Sequence, residues 1–273
     1  MNVSAYIPCC NNEQTIAESI ASLRAQTVPV AELFVIDDAS TDGSTAAAKS
    51  SGARVVAHVE NLGRGAGRAH AMLEAQNDLV LACDAAIALP PDFLARALTW
   101  MNDPNVAAVF GRVVQTAPRT VVERWRGRHL FKSDSTLQLN RRASLATGGV
   151  LLRKSLVLQA GNFNPHLRQS EDADLGQRLL ARGHDVVFDP ELKVTALGRN
   201  TLSQLLERYW RWNFGADAEL SVATYLKQIS YSIKVMARAD LRQSDFASAA
   251  ISLLCPHYLF WQANLRRAGN SKL

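Results

Sequence analysis

The run Leu33-Phe34-Val35-Ile36 has no polar face, and it stops abruptly at two carboxylates, Asp37 and Asp38. A strand of that kind is buried on both sides, as in a parallel sheet covered by helices. Ser40, Thr41, Asp42 and Gly43 follow, residue types that turn a chain and open a helix. The same alternation recurs. Val3 to Ile7, Arg54 to Val59, Leu79 to Ala82 and Val106 to Val114 read as strands. Between them, Ile16, Ile20 and Leu23 share a helical face, and Thr41 to Ser51 is an Ala-rich helix closed by Gly52. Ala66, Ala69 and Leu73 begin another helix, and Pro90-Pro91 opens one carrying Phe93, Leu94, Ala97, Leu98 and Met101. Asn11, with Gln14 three residues on, has the spacing of a capping box. The alternation predicts an α/β fold whose mostly parallel central sheet carries helices on both faces.

In such sheets ligands bind beyond the carboxyl ends of the strands. The acids there are Asp37 and Asp38, Asp84, and, further on, Glu171-Asp172. A carboxylate at that place can accept hydrogen bonds from ribose hydroxyls or a base N–H. It can equally do no more than cap the turn into the next helix. Both readings stand for Asp37 and Asp38 on this stretch alone.

The 273 residues are 48% hydrophobic, enough for one large domain or two small ones. A formal net charge of +5 suits anionic substrates, a membrane surface or nucleic acid, and selects none of them. Cys9, Cys10, Cys83 and Cys255 have no zinc-site spacing, so free thiols in a reducing compartment are expected. Met1 to Ser4 has no basic and apolar leader of the secretory kind.

From Gln115 to Thr147 basic residues dominate: Arg119, Arg124, Arg126, Arg128, Lys132, Arg141 and Arg142, with Trp125, His129 and Phe131 among them. A solvated face is the commoner meaning of such a run. No nucleic-acid motif accompanies it, and nucleic acid is not an expected partner. Gly148-Gly149 leads into a strand, Val150 to Leu152. Ser170 reads as an N-cap with Glu171, Asp172 and Asp174 in the first turn, where a helix dipole favours acids. Val186 to Phe188 and Leu192 to Ala196 read as short strands. Thr201 and Gln204 give a capping box to a helix ending at Phe214, on which Arg208, Arg211 and Trp212 share a face. The tail from Ala216 to Leu273 reads as helical, with Val222, Leu226, Ile229 and Ile233 at helical spacing. Phe246 to Leu265 contains no acid or base, and Arg266 and Arg267 follow it. Pro256, His257, Gln262 and Asn264 make that span too polar for a membrane crossing. An interfacial helix pair is one reading; packing against the main domain is the favoured one.

Gly63-Arg64-Gly65-Ala66-Gly67 is not the dinucleotide fingerprint in spacing or context, and no phosphate loop of the Walker type exists. What remains is carboxylates at strand ends with Arg64, Arg68, Arg208 and Arg211. That set suits a transferase which holds a nucleoside, neutralises a diphosphate and keeps one isolated base.

These pieces resemble the family 2 glycosyltransferases, which have the GT-A fold and invert the anomeric carbon. The match runs from Tyr6 to Trp212. Ile7-Pro8-Cys9-Cys10-Asn11-Asn12-Glu13, Val35 to Gly43, Asn61-Leu62-Gly63 with Arg68, and Pro91-Asp92-Phe93-Leu94 come in the family's order. Gly161-Asn162-Phe163, Glu171 to Leu175 with Arg178, and Arg208-Tyr209-Trp210-Arg211-Trp212 complete it. The resemblance implies a Rossmann-like GT-A domain. Its nucleotide-sugar half would span 1–114 and its acceptor-side half 115–200, with a helical region over 201–273.

It further implies that Pro8, Asn12, Glu13, Asp37, Asp38, Arg68 and Asp84 meet the nucleotide sugar. Gly149, Glu171, Arg208, Arg211 and Trp212 would surround the diphosphate or acceptor, and Asp172 would be the general base. The donor would be UDP-linked, and the acceptor a glycan, a lipid-linked glycan or a peptide. The implied setting is cytoplasmic, with the C-terminal helices as the part that would meet the inner membrane.

Two departures stand out. Where the family has D-x-D, this chain has Asp84-Ala85-Ala86. Where many members have a His after the last strand, it has Val194-Thr195-Ala196-Leu197. Asp84 alone is a thin site for Mg or Mn, which would be weakly bound or absent. The alternative to an active enzyme is an inactive GT-A-fold binding or scaffold protein.

Overall fold

The computed structural model describes residues 1–133, 135–214 and 221–270. The expected tail helix from Ala216 therefore begins outside the described residues, as do the side chains of Arg266 and Arg267. The chain forms two compact units, one of residues 1–114 and 136–198, the other of 115–135 and 199–273.

The first unit is built on one eight-stranded mixed sheet in the order β3-β2-β1-β4-β7-β6-β8-β5. The strands are β1 (Val3–Cys9), β2 (Glu32–Asp37), β3 (Arg54–Ala57), β4 (Leu79–Cys83), β5 (Ile87–Ala88), β6 (Val106–Val114), β7 (Gly149–Arg153) and β8 (Asp185–Ala196). The helices are α1 (Ile16–Arg24), α2 (Ser44–Ser50), α3 (Arg64–Glu74), α4 (Phe93–Trp100), α6 (Lys154–Gln159) and α7 (Glu171–Ala181). Strands β3, β2, β1 and β4 run parallel, as the alternation predicts. Beyond them β7 is antiparallel to both β4 and β6, while β6 and β8 are parallel. Phe34, Ile36, Tyr6, Val80, Leu152 and Leu175 belong to the core on one side of this sheet.

Several boundaries differ from the sequence reading for local reasons. Helix α1 begins at Ile16, not after Asn11. Asn11 has a left-handed backbone (φ 56), and its side-chain oxygen accepts instead from the Thr41 N–H at 2.8 Å. Helix α2 begins at Ser44, because the Asp42 carboxylate holds the Ser44 N–H at 3.0 Å and shapes the turn before it. Ser170 does precede α7, but its side chain caps nothing, since its backbone is also left-handed (φ 60). The two short strands expected between Val186 and Ala196 are one strand. It stays against β6 through a register shift beside Arg112. Gly111 permits that approach, as a Cβ there would lie 1.7 Å from the Leu192 carbonyl oxygen.

The second unit is helical: α5 (Val121–His129), α8 (Leu202–Phe214), α9 (Val222–Tyr231), a π-helical segment (Ser232–Ala237), α10 (Arg238–Arg242) and α11 (Phe246–Asn270). Thr120 and Glu123 close a capping box on α5, and Thr201 and Gln204 form the predicted one on α8. Its core gathers Trp125, Leu205, Leu206, Tyr209, Trp210, Met236, Ile251, Cys255 and Leu259. Helix α11 runs continuously through the buried Pro256. Val222, Leu226 and Ile233 lie in helical segments as their spacing predicts, and they are 70%, 59% and 52% exposed.

Candidate active site

The order of strands fixes where a ligand can sit. Helix α1 follows β1 and leads to β2 on one side of it. Helix α3 leads into β4 on the other side. The ends of β1 and β4 therefore flank a point where the winding reverses, the usual place for a ligand crevice. Cys9-Cys10, Asp37-Asp38 and Cys83-Asp84 all end strands at this edge.

Asp38 is a hub of the first unit. Its carboxylate accepts from the Leu62 N–H at 2.9 Å and the Gly63 N–H at 2.8 Å, and lies 2.8 Å from Nδ1 of His58. A carboxylate oxygen accepts, so His58 donates from Nδ1. Its Nε2 lies 3.0 Å from Nδ1 of His70, within hydrogen-bond reach. The two imidazoles are stacked with centroids 5.2 Å apart. Asn61 donates to the Asp38 carbonyl oxygen, and Arg168 in turn donates to Asn61. The loop from Glu60 to Gly63 is thus tied to the end of β2 by side chains.

Asp37 has other partners. It accepts from the hydroxyls of Ser40 and Thr45, and so shapes the turn into α2. Asp37 and Asp38 are 4% and 8% exposed. The turn after β1 is laced to the same loop. The Asn12 N–H donates to Ser44 Oγ at 2.7 Å, and the Gly43 N–H donates to Glu13 Oε2 at 2.9 Å. Pro8 lies opposite Ile36 in the β1–β2 ladder.

Helix α3 carries the order to the next strand. Gly63, whose N–H Asp38 holds, immediately precedes it, and Gly65 lets its first turn touch the backbone of Asn164 and Leu167. One turn on, Arg68 is only 3% exposed. Its Nη2 donates to Asp84 at 2.7 Å and its Nε to Glu171 at 3.1 Å. Burial works against the guanidinium charge, but Asp84, Tyr6 and Glu171 outweigh it and raise its pKa. The Tyr6 phenol lies against the same group, and burial pushes its pKa up. Arg68 therefore meets two carboxylates.

The three acids in the first turn of α7 have separate fates. Glu171 is buried against Arg68, and Asp174 pairs with Arg178 one turn on. Asp172 has no ion pair among the described residues. It accepts from its neighbour's N–H at 2.9 Å and, at 3.5 Å, from the Thr147 hydroxyl. It is a half-buried carboxylate at a helix N-terminus with acceptor capacity to spare.

Gly149 is buried in β7 opposite Cys83. A Cβ there would press on Val194 and Leu89 at 2.9 and 3.0 Å, so packing requires its small size. Arg208, Arg211 and Trp212 belong to the second unit. There the Arg208 guanidinium lies 5.9 Å from the Trp212 ring centroid, Arg211 pairs with Glu207 at 3.8 Å, and Trp212 is 56% exposed.

A metal would need more oxygen ligands than this edge supplies. One Asp84 oxygen is engaged by Arg68, and position 86 is alanine, whose carbonyl accepts from the Leu197 N–H. Ala86 faces Gly198, 3.4 Å from where a Cβ on that glycine would stand. Among the described residues no three His, Cys, Asp or Glu side chains cluster as metal ligands. The donor set is a poor fit to Mg or Mn.

The family model described as glycosyl transferase family 2 matches residues 4–159, more than half of the chain. The chain belongs to glycosyltransferase family 2. The succinoglycan biosynthesis protein ExoU of Rhizobium meliloti (strain 1021) is 30% identical over 200 residues, 67% of this chain and 58% of that protein. The pre-mycofactocin glycosyltransferase of Mycobacterium tuberculosis (strain ATCC 25618 / H37Rv) is 24% identical over 76% of this chain and 45% of its own length. This family 2 chain thus spans about half the length of the curated relatives it matches. Among solved structures, S. aureus TarS 1-349 in complex with UDP-GlcNAc superposes with a TM-score of 0.59 at 16% identity, covering 93% of this chain and 90% of that one. The mannosyltransferase PcManGT from Pyrobaculum calidifontis, solved with GDP-Man and Mn2+, gives 0.56 at 17% identity, covering 99% and 75%. These likenesses establish the GT-A fold.

Sequence reading found the acids and Arg68 but missed His58, His70 and Thr147. His58 had a signal. It follows Val55-Val56-Ala57 directly, at the same sheet edge as Asp37. His70 and Thr147 had none, because only the fold brings them to His58 and Asp172.

Proposed function

We propose that this chain transfers a sugar from a nucleoside-diphosphate sugar, UDP-linked, to an acceptor hydroxyl with inversion, and that Asp172 is the general base. The observation that carries this is the sorting of carboxylates around Arg68. Glu171 and Asp84 are committed to the guanidinium, while Asp172, the chain neighbour of Glu171, has no ion pair among the described residues. A base must keep a lone pair free for the incoming proton. Taking the acceptor's proton on the face opposite the departing nucleotide gives inversion. Asp38 and the loop it anchors would meet the nucleoside, with Pro8, Asn12, Glu13 and Asp37 shaping the wall.

Metal dependence would be weak or absent. Arg68 already balances Asp84, and no second carboxylate stands at position 86. A UDP-linked donor accords with the UDP-GlcNAc complex of TarS, and a glycan acceptor with the naming of ExoU for succinoglycan biosynthesis. A polysaccharide precursor, lipid-linked or free, at the cytoplasmic face of the cell envelope is the setting that fits. A second reading, an inactive GT-A-fold binding protein, is favoured by Ala86 and by the lack of a histidine at 194–198.

One experiment separates the two. The chain is incubated with UDP- and GDP-sugars, with Mn or EDTA, and nucleotide release is followed. The enzyme reading expects release that survives EDTA, and Asp172→Asn should cut it by about 100-fold or more while nucleotide affinity is kept. Tight nucleotide binding with no turnover of any donor would support the binding protein. Unchanged turnover in Asp172→Asn would remove that residue as the base.

A further inference from the structure

Positive charge is unevenly divided between the two units. Residues 115–135 and 199–273 carry fifteen Lys and Arg against seven Asp and Glu, a net of +8, whereas the rest of the chain carries fifteen against eighteen, a net of −3. Within 221–264 the only carboxylates are Asp240 and Asp245, and both are turned inward. Asp240 is fully buried against Arg128, His129 and Ser252, and Asp245 pairs with Arg124. The outer surface of α9 to α11 over these residues therefore presents cations without exposed acids.

Those cations are ordered. Lys227, Lys234, Arg238 and Arg242 are all exposed, and their spacing of seven, four and four residues keeps them on one side. Beside them runs an apolar stripe of exposed residues, Val222, Leu226 and Ile233. Helix α11 runs antiparallel to α9. Tyr225 meets His257 and Phe260, while Ser232 bonds to the Ser252 carbonyl. Its outward side is apolar too: Phe246, Leu253, Leu254, Phe260 and Trp261 are 73%, 45%, 41%, 39% and 54% exposed. No helix among the described residues is long and apolar enough to cross a membrane. An apolar strip edged by Lys and Arg, with an exposed Trp, is the pattern of a surface lying in the lipid headgroup region.

We propose that the outer face of α9, α10 and α11 binds the surface of an anionic bilayer. Leu226, Ile233, Leu254 and Trp261 would enter the acyl boundary, and Lys227, Lys234, Arg238 and Arg242 would meet lipid phosphates. This deepens the envelope setting proposed above but does not depend on the donor chemistry, because binding is read without a nucleotide sugar.

The full chain is sedimented with phosphatidylcholine vesicles, with and without phosphatidylglycerol, at low and high salt. Binding is expected only with the anionic lipid and should fall as salt rises. Lys234→Glu with Arg238→Glu should weaken it by about 25-fold or more, counting about fivefold for each cation removed from an anionic surface. Leu226→Gln with Trp261→Ser should weaken it too, while circular dichroism and urea unfolding stay as in the parent chain. All four positions are exposed, so the folded state is expected to tolerate them. No sedimentation with anionic vesicles overturns the proposal, as does equal binding by both double variants. Analytical ultracentrifugation showing a dimer that either double variant dissolves would assign the face to a second copy instead, and would also overturn it.

Discussion

Replacing Arg68 by methionine tests the centre of the first unit. The guanidinium is 3% exposed and serves two carboxylates of unequal exposure: the Asp84 side chain is 42% exposed and that of Glu171 is 4%. Without Arg68, Asp84 can turn to water, and losing an exposed pair costs about 1 kcal/mol at most. Glu171 cannot. It is held at the start of α7 in the shadow of Tyr6 and β4, and a buried charge stripped of its partner costs about 3–5 kcal/mol. The loss in Arg68→Met should therefore come almost wholly from Glu171. Urea unfolding followed by circular dichroism measures it. Adding Glu171→Gln should recover about 2 kcal/mol, because the unpaired buried charge is gone although a polar group remains. Arg68→Lys should fall between, as one ammonium cannot fork to both acids. Two results would refute this reasoning: Arg68→Met unfolding within about 1 kcal/mol of the parent, or a double variant less stable than the single.

Two further outcomes follow from titrating groups. Burial pushes the Cys9 thiol up to about 11 and raises Cys83 and Cys255; partial burial and the Asp38 charge raise Cys10 as well, but among the four it is the exposed thiol. An aromatic disulfide reagent at mildly alkaline pH should modify Cys10 alone in the folded chain and all four cysteines in denaturant, with UDP slowing the reaction. In the second unit, the hydrogen bond from Arg124 holds the Asp245 carboxyl well below its ordinary range. Burial opposes ionisation of Asp240, but bonds from His129, Ser252 and Arg128 outweigh it and lower its pKa as well. Both acids bind protons more readily when unfolded. Their contribution is complete above the unfolded value of about 3.9 and is lost as pH falls below it toward the folded values. Four of the five tryptophans lie in this unit, so tryptophan emission should report its acid unfolding below about pH 4, and Asp245→Asn should flatten that dependence.

How much of this was legible in the sequence depends on the distance over which each constraint acts. Strand ends were legible, because an apolar run that stops on carboxylates is a local pattern. So were the parallel half of the sheet and the two acids of β2. Helix starts were read less well at Asn11, which has the right chemistry for a cap and the wrong backbone, than at Ser170, which does precede α7 although its side chain caps nothing. Asn11 gives its side chain to Thr41, thirty residues on, and no local rule reports that. The antiparallel insertion of β7 between β4 and β6 was equally invisible, because pairing of distant strands leaves no period in the sequence.

The site shows the same division with more consequence. Asp84, Arg68 and Glu171 each stood out singly, but their joining is a property of α3 crossing the sheet. Once they are joined, the missing acid at position 86 reads differently. In isolation Ala86 suggests decay. In the fold, the carboxylate that remains shares the Arg68 guanidinium with Glu171, and the residue facing Ala86 is Gly198, which has no side chain to offer. Here the charge has a partner, and the position opposite Ala86 is small as well. That arrangement, with Asp172 outside any ion pair among the described residues, supports the proposed reading of a transferase that neutralises its donor with little help from a metal.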